Sequence, residues 1–440
     1  MKKVGNNPHS LPFLKSLKIQ KLQNSIIQSQ NKYILHGLYG SSKSFFIKQL
    51  FNSKTSFLWI LNDKESAAYH YNDLENFMEQ KHCSFYPSSY NKHKDFKKTD
   101  SQNIFKRTEV IKNLSSRGNS QIIVTYPEAI FEKILQKKEI KKRILKISVG
   151  KALNLEILNE QLFDFEFNRE DFVLEPGDFS VRGGIIDVFS FSNDLPYRIE
   201  FFGDEVESIR EFDISSQVST NDLDSVNILP VRELSLSEVE KKQGVEAINK
   251  FAEKNSSDRQ FLKELLEKIE FLGVFSGMEY LSPFFQPFQE SLFDYLDRDS
   301  LVVLIDEDQL QDKSEQFQNI IKTEYDKVLG NGGIAVTPEE LYLGADEVKK
   351  NISKFKGCIA LNTLKTSDEE SERAIRWEVK HIPPLVGKFQ DFSAQVLKWQ
   401  EEENKIVIVA PTKAQVRRIH ELIHEWGLEI DVDLGRISEG

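Results

Sequence analysis

Cysteine is almost missing from this 440-residue chain, which holds only Cys83 and Cys358, far apart and in no metal-ligand spacing. A disulfide framework is thereby excluded, and the usage fits a reducing compartment. Also missing is any apolar run near the ~20 residues a helix needs to cross a bilayer, and the N-terminal MKKVGNNPHSLPF has no signal-peptide apolar core. These absences predict a cytoplasmic protein with no membrane partner. Basic excess is the third absence: Lys and Arg number 58 against 69 Asp and Glu, a net charge of -11. A free-standing nucleic-acid binder presents a basic face, so DNA binding is not expected as the main task of this chain. The local stretches 91-NKHKDFKK-98 and 137-KKEIKKR-143 read as solvated helix faces or loops.

What is present alternates. Short β-like runs at 33–37 (YILHG), 56–61 (SFLWIL), 83–89 (CSFYPSS) and 121–127 (QIIVTYP) are interleaved with amphipathic helical spacing at 64–80 and 102–114. Strand and helix alternating at this interval predict a parallel sheet covered on both faces. The rhythm changes after about residue 140. Runs at 161–167 (QLFDFEF), 171–175 (DFVLE), 178–191, 197–202 and 205–213, separated by Pro-Gly and Gly-Asp turns, predict an antiparallel meander inserted into the first domain. Residues 214–226 read as a linker and 236–271 as helical; 301-LVVLIDED-308 is an apolar run ending in acid. The segment 405–432 reads as strand, turn, helix and strand, and the stop at Gly440 just after it leads us to expect a piece of a longer protein.

The stretch 37-GLYGSSKS-44, between a strand and a helix, is in register with the phosphate-binding pattern G-x-x-x-x-G-K-[ST] at Gly37, Lys43 and Ser44, with Gly40 inside the loop and Ser42 in place of the second glycine. In a working loop the lysine reaches the β/γ oxygens and the hydroxyl holds Mg²⁺. Ser42 puts a side chain where close approach of the backbone favours glycine. Asp306 and Glu307 have the local form of a Walker B acid pair. The expectation is a strand–turn–helix junction that keeps its shape without ligand, with weak nucleotide binding as the alternative. The string 420-HELIH-424 matches a zincin motif, with His420 and His424 on one helix face and Glu421 between them. No third histidine follows it, and Val416, Ile419, Ile423 and Trp426 make an ordinary apolar face, so no metal site is expected.

Taken in order, GLYGSSKS, 123-IVTYPEAI-130, 176-PGDFSVRGGIIDVF-189, 197-YRIEFFGDEVESIREFD-213, 277-GMEYLSPFF-285, 292-LFDYL-296 and 301-LVVLIDED-308 resemble the N-terminal module of the bacterial transcription-repair coupling factor family, Mfd, which is itself similar to UvrB. The resemblance covers nearly the whole chain. It implies an α/β multidomain fold: a degenerate P-loop, UvrB-like parallel-sheet domain at 1–138 and 290–350, and an inserted small antiparallel α+β domain at 139–220. A mainly helical domain at 221–289 and a C-terminal α/β domain at 351–440 complete it. UvrB resembles a full helicase-type ATPase with an intact loop and a DNA-gripping β-hairpin; from Tyr86 to Tyr126 this chain carries only a basic loop and one helix instead.

The same resemblance implies a non-catalytic module that recruits UvrA to RNA polymerase stalled at DNA damage. No cofactor is implied for this stretch; ATP and Mg belong to a translocase motor elsewhere in the full-length family member, as do the contacts to polymerase and DNA. The alternative function is a UvrB-type nucleotide-binding, DNA-engaging ATPase. Matched motif by motif, the UvrA-facing residues are Arg169, Arg182, Phe189, Arg198 and Glu200. Arginine's planar donor fork suits carboxylates across an interface, and an aromatic beside it suits a hot spot. Read from the residues alone, Arg182 and Arg198 are equally cross-strand partners of acids such as Asp187 and Glu200, and Phe189 has the neighbours of a core residue.

Overall fold

The runs FLWI (Phe57–Ile60), IIVT (Ile122–Thr125) and LVVLI (Leu301–Ile305) are buried at every residue. Strands covered on both faces read as continuous apolar runs, and these three lie inside a parallel sheet. The computed structural model describes residues 32–425 except 53–54, 79–81, 90–100, 116–119, 143, 191–194, 229, 231–235, 276–277, 287–288, 363–374, 378, 380–388, 405, 407 and 409–411. Its seven-stranded sheet runs in the order Ile375–Arg376, Lys32–His36, Gly357–Asn362, Leu301–Ile305, Phe57–Ile60, Ile122–Thr125, Cys83–Phe85. Every pair in it is parallel. Helices that follow the strands cover it, among them Ser42–Leu50 and Lys64–Phe77, the latter started by the Asp63 carboxylate accepting the Ser66 N–H at 2.7 Å.

One boundary differs from expectation. Gly357–Asn362 sits between Lys32–His36 and Leu301–Ile305, and Ile375–Arg376 adds to the far side of Lys32–His36. The parallel-sheet unit therefore continues past residue 350. The run GCIALN is short, and only its pairing on both sides separates it from a strand of a following domain.

The inserted unit holds a six-stranded sheet in the order Ser219–Asp222, Glu205–Phe212, Tyr197–Phe202, Ile185–Val188, Asp178–Arg182, Asn168–Arg169. All its pairs are antiparallel except the last. It packs its own core, built from Phe179, Ile186, Val188, Ile199, Val206 and Ile209 against Leu158 and Leu162. Three expectations are corrected in this unit. Most of QLFDFEF belongs to a helix, Leu155–Asp164, because Leu158 and Leu162 point to the core at helical spacing and the Asn154 side chain accepts the Glu156 and Ile157 N–H groups. DFVLE joins no ladder. The 214–226 linker contains strand: Ser219–Asp222 forms a sheet edge, and Ser225–Ile228 pairs with Leu145–Ser148. The insertion thus runs to at least Ile228 and not to 220.

A helical unit follows, with Glu238–Asn255 opened by a Ser237/Glu240 capping box and Arg259–Leu272 packed beside it. Beyond the sheet, helices Phe389–Glu401 and Lys413–Glu425 meet at Val396 and Ile423. The strand expected at 428–432 lies outside the described residues. So does the basic stretch at 91–98; the described part of the Tyr86–Tyr126 interval contains helix Ser101–Ser115. The chain at 86–89 is pinned by a buried hub in which Glu132 accepts Ser89 Oγ–H at 2.8 Å and pairs with Arg107 at 3.0 Å.

Candidate partner-docking face

The RGGIIDVF string makes a hairpin in which Arg182 lies opposite Ile185 and Ser180 opposite Asp187. The next strand places Arg198 directly across from Asp187. Asp187 is buried at 1% exposure. A lone carboxylate there would be costly, and it is answered from two sides. Arg198 donates from Nε to Oδ1 at 2.8 Å and from Nη2 to Oδ2 at 2.9 Å, and Arg182 donates from Nη2 to the same Oδ2. Arg198 also reaches the Gln217 carbonyl at 3.3 Å and lies 4.4 Å above the Phe212 ring. Its hydrogen bonds to Asp187 hold its pKa above the usual arginine value. Arg198 is an inward, fold-holding residue.

Arg182 differs in what it shows to solvent. Its side chain is 41% exposed. The chain after Asn168–Arg169 continues alongside Asp178–Arg182 and carries Phe172 to the Arg182 guanidinium, 5.2 Å from the ring centre. Phe172 and Leu174 are exposed at 54% and 66%, whereas Val173 between them is buried. Arg169 is exposed, and no ion pair engages it among the described residues. Glu200 is taken by Arg210 and accepts the Ser208 hydroxyl at 2.9 Å.

Of the five residues expected on this face, Phe189 is corrected outright. It is 5% exposed and packs with Val173 and Phe212. The strand it follows turns it inward, so it is a core residue, and the exposed aromatic beside Arg182 is Phe172. The sequence contained a signal for that: in DFVLE a buried valine flanked by outward Phe and Leu is a period-two pattern, although no ladder forms.

The glycine loop is built but closed. Gly37 (φ 86°) and Gly40 (φ 51°) adopt left-handed backbone that favours glycine. A Cβ at Gly37 would overlap the Trp377 carbonyl oxygen, and the Trp377 N–H donates to His36 O at 2.9 Å. Ser42 Oγ accepts the Tyr39 N–H at 2.9 Å and donates back to Tyr39 O at 2.6 Å. The N–H groups of Ser42 and Lys43 donate within the loop, to Tyr39 and Gly40. Ser44 is fully buried and donates to Asp73 Oδ2 at 2.8 Å. With its one hydrogen so used, it accepts from His70 Nδ1–H at 2.7 Å.

Burial lowers the Lys43 pKa, partly countered by Asp306, and pushes His70 down to about 3, with the Lys43 charge adding to the effect. Asp306 ends its strand at φ 43°. Asp306 is near enough for its charge to act on Lys43. The Glu307 side chain lies outside the described residues. Helix Lys413–Glu425 carries His420 and His424, and no group of three metal-ligating side chains occurs among the described residues; Trp426 lies outside them.

Residues 145–234 match the UvrB interaction domain family. The chain is similar to the transcription-repair-coupling factor of Bacillus subtilis, at 30% identity over 67% of this chain and 26% of that protein. It is also similar to those of Rickettsia bellii, at 26% over 88% and 34%, and Staphylococcus epidermidis, at 22% over 93% and 36%. The chain thus spans about a third of the length of these curated relatives. The matched family region covers Arg169, Phe172, Arg182, Asp187 and Arg198.

Proposed function

We propose that this chain, which is homologous over most of its length to transcription-repair-coupling factors and carries a UvrB interaction domain, is the recruitment module of such a factor and docks UvrA through the inserted domain. One observation carries the reading: within the UvrB interaction domain, a half-exposed Arg182 is laid against an exposed aromatic, Phe172, and only one of its nitrogens is used by a buried acid. Arginine beside an aromatic is the composition of an interface hot spot. In the intact polypeptide, recruitment of excision repair to a stalled polymerase would be joined to an ATP-driven translocase outside this stretch. The glycine loop has no nucleotide duty in this reading, since the N–H groups of Tyr39, Ser42 and Lys43 and the Ser44 hydroxyl are engaged internally.

The test is the affinity of the chain for UvrA, wild type against Arg182→Ala, with melting temperatures of both. Binding should fall by about 2 kcal/mol, roughly 30-fold, with folding unchanged. Wild-type chain that does not bind UvrA would overturn the proposal.

A further inference from the structure

Arg182 and Arg198 come from different strands, yet both converge on one carboxylate. Oδ2 of Asp187 receives a donor from each guanidinium, and Oδ1 is taken by Arg198 Nε. Arg198 is held on the inside, with Gln217 accepting two further donors at 3.2 and 3.3 Å. Arg182 is not: among the described residues its Nε and Nη1 meet no protein acceptor, and its side chain is 41% exposed. Two guanidiniums thus share the one carboxylate of Asp187. The unfilled edge of a planar donor fork matches a second carboxylate, and Phe172 beneath it limits the directions in which the fork can turn.

We infer that Asp187, which presents the Arg182 guanidinium in a fixed orientation to a carboxylate of the partner, is the positioning residue of the docking face. The inference rests on the docking reading above for the identity of that partner, UvrA. Asp187 itself is buried at the base of this face. Its contribution is to hold Arg182 in one orientation before the partner arrives, which removes part of the ordering loss that an exposed, flexible arginine suffers on binding. Asp187 thereby couples the two arginines: Arg198 fixes the acid, and the acid fixes Arg182.

Two measurements on the full chain separate this role from a merely structural one. The first needs no partner: phenylglyoxal modification at Arg182, followed by mass spectrometry, should run several-fold faster in Asp187→Asn than in wild type. An unchanged rate would overturn the inference. The second is a double-mutant cycle for UvrA binding. Asp187→Asn should weaken binding about tenfold in the wild-type background and less than twofold in an Arg182→Ala background; equal losses in both would mean Asp187 does not act through Arg182. Should Asp187→Asn fail to fold, Asp187→Glu keeps the charge and displaces the carboxylate by one methylene, and the same cycle applies. If wild type does not bind UvrA, the docking reading falls, while the modification rates still decide whether Asp187 orients Arg182.

Discussion

Phe189, which the family motif places on the docking face, lies in the core as its apolar neighbours imply, and Phe172 is exposed beside Arg182. Phe189 follows an apolar run beside an arginine-bearing hairpin, and only the strand's direction shows that it faces Val173 and Phe212. Phe189→Ala should therefore destabilise the fold by about 3–5 kcal/mol, read as a lower urea midpoint. UvrA affinity of the folded fraction should be near wild type; a selective loss of binding with stability intact would restore Phe189 to the interface. His70 yields a second residue-scale prediction. It stacks 4.8 Å from Trp59 and is held near 3 by burial, below the 6.5 of an ordinary histidine. The unfolded chain therefore takes up the proton first, so the stability tied to neutral His70 is whole above pH 6.5 and drains as pH falls toward 3. Between pH 7 and pH 5 the loss should be about 2 kcal/mol. Urea unfolding of wild type against His70→Gln at both pH values checks it: the difference between the variants should shrink on acidification.

Among elements, the helices Glu238–Asn255 and Ser282–Phe285 meet where Gly244 faces Phe285. A Cβ at Gly244 would overlap the Phe285 ring, so the glycine is there for approach and not for backbone freedom. Gly244→Ala should cost about 1–3 kcal/mol by overpacking, despite the better helix propensity of alanine. A thermal melt that shows no loss would mean the ring moves aside freely. The helices expected at 64–80 and 102–114 and the fully apolar strands are legible from periodicity, and the structure has those helices at Lys64–Phe77 and Ser101–Ser115. QLFDFEF is not, because Phe163, Phe165 and Phe167 alternate at the strand period across the end of a helix, and the cap at Asn154 with the core contacts of Leu158 and Leu162 decides for helix up to Asp164.

At the scale of the molecule, the parallel sheet and the inserted sheet have separate cores. No described helix is long and apolar enough to cross a membrane. The glycine loop belongs to the first core and is closed by two contacts from afar, the Trp377 backbone on Gly37 and the Lys64–Phe77 helix on Ser44. Mg-ATP should accordingly leave the melting temperature of the chain unchanged. A site at 100 times its dissociation constant would instead stabilise by ~2.7 kcal/mol, and a shift of that size, abolished by Lys43→Ala, would show an open loop.

By itself the sequence determined the core strands of the first sheet and pointed to the family: strands buried on both faces must be apolar throughout, hairpin turns need their Gly and Pro, and RGGIIDVF with YRIEFFGDEVESI lies inside the region that matches the UvrB interaction domain. It also determined which arginines could matter. Tertiary structure alone decided which of them face outward, that GCIALN completes the first sheet, and that Ser44 is spent on His70 and Asp73. The physical reason is common to all three. Local periodicity sets the face a side chain takes within its own element, whereas strand order and a filled loop depend on residues tens to hundreds of positions away, and the shared carboxylate on two neighbouring strands of the inserted sheet.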